Sequence, residues 1–144
     1  TPAINDPKAY EFELGKAVIL REGTDVTICA CGLMVIEALA AAETLAREDI
    51  SAEVINIHTI KPLDVDTITA STAKTGCVVT AEEHSVIGGL GEAVASAVAE
   101  RCPALVRRVG VRDTYGESGP AAELMRLYGL DAVHIVTAAK DLLA

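Results

Sequence analysis

The sequence predicts a three-layer α/β/α sandwich around a mostly parallel sheet. Three observations carry this expectation. Four apolar strand-like runs alternate with helical runs at the spacing of βα units. Hydrophobic residues make up 51% of the 144 positions but aromatic residues only 3%, so Ala, Val, Ile and Leu must build the core. The polar residues that stand out fall just past the strand ends: His58, then Glu82, Glu83 and His84, then Arg112 and Asp113. In a parallel sheet that edge is where ligands and partners dock.

Residues 1–14, with Pro2 and Pro7 in a polar stretch, read as a linker from a preceding domain, and 15–144 as the folded unit. Val18-Ile19-Leu20 is a short strand closed by the Glu22-Gly23-Thr24-Asp25 turn. Residues 26–31 are mostly apolar, as expected of a strand covered on both faces. Gly32 turns the chain into a helix over about 33–48, whose stripe is Val35, Ala38, Leu39, Ala42, Leu45 and Ala46. Residues 52–57 alternate before turning apolar, a second parallel strand, and Asp64 is placed to cap a helix over 65–74. Cys77–Thr80 is the third such strand, Glu82–Gly91 a loop, 92–101 a helix and 106–111 the fourth strand. Two helices close the chain. One carries Leu124, Leu127 and Tyr128 and stops at Gly129; the other starts at Asp131 with Val133, Ile135, Val136, Ala139, Leu142 and Leu143 on nearly one face.

Charge and cysteine usage remove several function classes. Twelve basic against 21 acidic side chains give −9, the wrong sign for phosphate-backbone binding, and Arg107-Arg108 is the only adjacent basic pair. No run approaches the roughly 18 apolar residues that a spanning helix needs, and no signal peptide is recognisable. Cys29 and Cys31 share a strand side, but no second close pair completes a zinc site. The four cysteines read as free thiols in a reducing, cytoplasmic setting.

Each candidate motif stops short of complete chemistry. Gly88, Gly89 and Gly91 lead into a helix, where backbone N–H groups can face an anion, yet the spacing is neither the dinucleotide fingerprint nor a P-loop. Glu92 in the first turn would repel a phosphate, so close packing against a neighbour is the better reading. Glu82, Glu83 and His84 have the residue types of acid–base chemistry. Adjacent residues of an extended chain point apart, and no nucleophile or metal ligand adjoins them. A polar domain interface explains them better. Gly116-Glu117-Ser118-Gly119-Pro120 fails the nucleophile-elbow pattern and reads as a helix start. His58 is expected to bond a loop or a neighbouring domain, and His134 to sit on a solvated helix face.

Taken together, residues 11–17, 21–27, 57–64, 80–91 and 110–119 resemble, in order, the C-terminal domain of the transketolase family. The Glu82-Glu83-His84 plus Gly88-Gly89-Leu90-Gly91 block is most similar to the split transketolases of prokaryotes. The same domain closes 1-deoxy-D-xylulose-5-phosphate synthase and the beta subunits of 2-oxo-acid dehydrogenases.

The resemblance implies a five-stranded sheet in the order 1-3-2-4-5, with the first strand antiparallel. It also implies a homodimeric enzyme that uses thiamine diphosphate and magnesium to move a two-carbon ketol unit between sugar phosphates. The partners it implies are the pyrimidine-binding and diphosphate-binding domains of that enzyme. The family's Gly-Asp-Gly cofactor motif has no counterpart, since no Gly-Asp dipeptide occurs here. No catalytic, cofactor-binding or metal-binding residue is therefore expected. His58, Glu82, Glu83, His84, Gly88, Gly89 and Gly91 are the expected domain or dimer interface. A free-standing anion- or protein-binding module is the rival from another class.

Overall fold

The computed structural model describes residues 15–58, 60–85, 89–111 and 131–144. In chain order these form β1 (Val18–Arg21), β2 (Val26–Ala30), α1 (Met34–Ala46), β3 (Ala52–Asn56), α2 (Val65–Thr75), β4 (Cys77–Ser85), α3 (Leu90–Arg101), β5 (Leu105–Val111) and α4 (Ala132–Leu143). The five strands make one sheet in the order β1-β3-β2-β4-β5. β1 runs antiparallel to β3, and all other pairings are parallel.

Strand parity divides the core into two layers. Val26, Ile28 and Ala30 of β2, Val54 of β3 and Val79 and Ala81 of β4 face α1 and α4. Cys29, Ile55 and Val78 face α2 and α3, where they meet Ile68, Leu90, Val94 and Val98. α1 lies flat on the sheet because Ala38, Ala41 and Ala42, all fully buried, let the backbones approach. Leu45 anchors that helix, and its full burial contributes roughly 1.5–3 kcal/mol.

Several boundaries and faces depart from the sequence expectation. β4 does not stop at Thr80 but continues through Ser85, so Glu82 and Glu83 are strand residues, and α3 begins at Leu90. Both faces of β3 are covered, and Glu53, a charged residue in that strand, is only 1% exposed. The stripe of α1 includes Met34 and Ala41, while Ala46 is exposed. In α4 only Ile135 and Ala139 are fully buried, with Val133 66% exposed. α2 ends at Gly76 in a left-handed turn with φ +88°, a conformation only glycine takes without cost. The proposed linker 1–14, Arg112, Asp113, Ser118 and the helix carrying Leu124 lie outside the described residues.

Candidate functional site

Parallel strands β3, β2, β4 and β5 end on one edge, and β3 and β4 diverge on either side of β2. This is the topological switch point of a doubly wound sheet, where the crevice between adjacent βα turns ordinarily takes a ligand. Two turns flank it here: Cys31-Gly32-Leu33, leading into α1, and the connection from β4 to α3.

Adjacent glutamates at the end of β4 close both turns. The Glu82 carboxylate is fully buried and accepts hydrogen bonds from the backbone N–H groups of Leu90 (2.7 Å) and Gly91 (2.6 Å). These are the first two residues of α3, whose cap residue Gly89 contributes no side-chain bond. Glu83 points to the opposite face, and its Oε1 accepts from Leu33 N–H at 2.9 Å, at the start of α1. Gly32 adopts φ +61°, and a methyl carbon built there would lie 2.7 Å from the same Glu83 oxygen. Each carboxylate therefore meets the positive end of a helix macrodipole, an arrangement contributing about 0.3–1 kcal/mol and up to about 2 when partly buried.

The same device recurs at the other helices. Asp64 caps α2 by accepting from Thr67 N–H (3.1 Å) and Oγ1–H (2.7 Å), and also binds Ala17 N–H at 2.8 Å. Burial alone would raise its pKa, but the N–H of Ala17 and the Thr67 donors outweigh that and hold it below the usual range. Asp131 caps α4 through His134, and Glu37 of α1 accepts from Ala132 N–H at 2.9 Å. All four described helices thus begin against an acidic side chain of the protein itself.

The sequence-derived site residues reach one edge in different roles. Glu82 and Glu83 do not converge on a pocket; they serve opposite layers. His58 lies two residues past β3, half-buried, with burial lowering its pKa. His84 follows Glu83 in β4. Gly89 caps α3, Gly91 occupies its second position, and Gly88 lies outside the described residues. Gly91 is required by packing: a methyl carbon there would approach Arg108 Cδ and Cγ to 2.7 and 2.8 Å and Thr80 Oγ1 to 2.9 Å. Burial, reinforced by Glu82 and Glu83, pushes the Cys31 thiol up to about 11, far from a reactive thiolate. His134 is exposed and bonded to Asp131.

Two features escaped sequence reasoning. Leu33 (54% exposed) and Ile36 (46%), three residues apart at the start of α1, add apolar surface to this edge. The four-residue apolar run 33–36, too continuous for a one-sided helix, is the signal that could have revealed it. At the opposite edge, Glu53 accepts from Gly23 N–H (3.1 Å) and pairs with Lys74, while Thr27 Oγ1 lies 2.7 Å from both Ser71 Oγ and Thr75 Oγ1.

Comparison with known proteins agrees with this architecture. The profile described as "Transketolase, C-terminal domain" matches residues 15–135. A 6-deoxy-6-sulfo-D-fructose transketolase subunit, SqwH, of Clostridium sp. (strain MSTE9) is 55% identical over 97% of this chain and 44% of its own. A 1-deoxy-D-xylulose-5-phosphate synthase of Geobacter sulfurreducens is 41% identical over 96% of this chain and 22% of its own. The solved structure of a split gene transketolase, an inactive beta4 tetramer, superimposes with TM-score 0.89 at 48% identity, covering 94% of this chain and 44% of that one. The chain spans less than half the length of these relatives. Its sheet order, its paired turns and its sequence place it in the transketolase C-terminal domain family.

Proposed function

We propose that this chain is the non-catalytic C-terminal part of a thiamine-diphosphate-dependent transketolase, acting by supporting the pyrimidine-binding domain and the dimer. The single observation that carries the reading is the 55% identity, across 97% of the chain, to a transketolase subunit. The carboxyl edge supplies the docking face. It combines the exposed apolar pair Leu33 and Ile36 with the part-buried His58 and Glu83, an apolar centre beside polar groups of the kind that interfaces favour, and His84 and Gly89 join it by their place in the chain. Gly88 belongs to the same proposed face by its place in the sequence.

The residues present do not fit the cofactor. A diphosphate seeks free N–H groups at a helix N-terminus, and those at the switch point already bind Glu82 and Glu83. Among the described residues, no three His, Cys, Asp or Glu side chains are grouped to hold a divalent metal such as magnesium. We therefore assign thiamine diphosphate and magnesium to the partner domains. The four cysteines are free thiols, which supports a reducing, cytoplasmic location.

Ketose choice also belongs to those domains. Relatives 55% and 40% identical to this chain are named for different ketoses, a sulfofructose and apulose 4-phosphate, although each aligns with at least 90% of it. The ketol transfer within the pentose phosphates stays the leading assignment.

Reconstitution tests the reading. The chain, extended by its pyrimidine-binding domain and mixed with a diphosphate-binding subunit, should turn over xylulose 5-phosphate, while the 144-residue chain alone should be inactive. Calorimetric titration of the chain alone with thiamine diphosphate and magnesium should show no binding. Micromolar affinity would refute the division of labour.

A further inference from the structure

We propose that Glu82 is an internal anion seated in a built oxyanion site at the start of α3, so that truncating it exposes a site for a small carboxylate or inorganic phosphate. The proposal goes beyond the assignment above and does not depend on it, because it concerns only groups of this chain.

Four observations define the site. Two consecutive N–H groups, Leu90 and Gly91, converge on the two oxygens of one carboxylate at 2.7 and 2.6 Å. That is how helix N-termini hold phosphates and carboxylates. The carboxylate is fully buried, so it is a resident of the site rather than a surface side chain resting against it. The third is independent of the helix. Thr80, two residues earlier on the same face of β4, is also fully buried, and its Oγ1 has no hydrogen-bond partner. A methyl carbon at Gly91 would lie 2.9 Å from that oxygen, which places the hydroxyl against the first turn of α3. An unpartnered buried hydroxyl is rare and calls for a reason. It packs against the same first turn of α3 without bonding the Glu82 carboxylate, so its donor is unused while Glu82 is in place. Finally, Gly91 leaves no side chain over the site, and the Arg108 stem packs where one would stand.

The consequence is a crevice shut from within. A second carboxylate, Glu83, occupies the start of α1 on the other side of the switch point. A diphosphate approaching this edge therefore meets two resident anions in the positions it would need.

Chemical rescue in the full chain tests this. In the wild type, acetate and inorganic phosphate, compared with chloride at matched ionic strength, should leave the Leu90 and Gly91 amide resonances and the Tm unmoved. In Glu82→Ala, acetate should shift those two amides saturably and raise the Tm by about 3 °C or more, and inorganic phosphate, opposed by Glu92 in the first turn of α3, should shift them more weakly. Glu82→Gln, whose amide still fills the space, should show no rescue. Adding Thr80→Val to Glu82→Ala should weaken acetate binding several-fold.

A folded Glu82→Ala whose amides ignore both anions would overturn the proposal, as would equal binding by the wild type. If Glu82→Ala folds only with acetate present and not with chloride, the proposal stands. Glu82→Gln, which keeps the space filled, supplies the folded reference. Failure of Glu82→Ala to fold in acetate as well as in chloride, while Glu82→Gln folds in both, would refute the proposal.

Discussion

Glu53→Ala should cost about 3 kcal/mol of stability, and Lys74→Ala only about 1 kcal/mol, although the two side chains form one ion pair. The asymmetry follows from burial. Glu53 is 1% exposed, whereas the Lys74 side chain is 43% exposed. Without the carboxylate, the buried N–H of Gly23 loses its acceptor. Water cannot easily replace it, since a methyl carbon at Gly23 would already lie 2.2 Å from the backbone of Ala52. An orphaned buried N–H costs about 1–3 kcal/mol, and the one lost methylene about 0.8 kcal/mol, partly offset by no longer burying a charge. Without Lys74, the carboxylate keeps Gly23 and Ser71 as donors, and solvent takes the place of the ammonium. Urea unfolding followed by circular dichroism, at constant m, measures both variants. Burial alone would raise the Glu53 pKa, but bonds from Lys74, Ser71 and Gly23 outweigh it and hold the group below the unfolded value of about 4.3. Its stabilisation is therefore present above that pH and is lost as pH falls through the lower folded pKa. The gap between wild type and Glu53→Gln should narrow in acid. Equal costs for Glu53→Ala and Lys74→Ala, or a gap that widens in acid, would refute the reasoning.

Three other outcomes are expected. Asp64→Ala removes both the α2 cap and the tie to Ala17, so thermal unfolding should report a loss of about 2 kcal/mol. That loss should fade in acid for the same reason as for Glu53, because the Asp64 pKa is also lowered. Gly91→Ala should destabilise by about 1 kcal/mol despite alanine's better helix propensity, because Thr80 is buried and cannot yield as the Arg108 stem can. A native thiol titration near neutral pH should leave Cys29 unreacted until denaturant is added, since burial, with Glu53 nearby, pushes its thiol up to about 12.

The layer architecture was legible because apolar periodicity alone decides it. Val26, Ile28 and Ala30 on one face and Cys29 on the other are enough to call a strand covered on both sides. The sheet order and the antiparallel first strand came through the family resemblance, since no local pattern specifies which strands become neighbours. Asp64 was legible as a cap because N-capping is local, three residues from donor to acceptor. Glu82, Glu83 and Glu37 were not, because their N–H donors lie 8, 50 and 95 residues away in sequence. Glu53 was not singled out, for a related reason. A charged residue in an alternating run normally marks the solvent side, and only the fold brings Gly23 and Lys74 to it.

The order of the two glutamates has a geometric reason. Successive strand residues point to opposite faces, and α1 and α3 start on opposite faces beside the same strand end. One acid could serve one helix. Two acids separated by a residue would serve the same helix twice and leave the other N-terminus bare. A Glu-Glu dipeptide is the shortest sequence that satisfies both, and its register is set by β4 pairing with β2 through Ala81. The residues most reminiscent of acid–base catalysis thus earn their place through strand parity. They tie the first turns of α1 and α3 to one strand end, beside the exposed apolar pair Leu33 and Ile36.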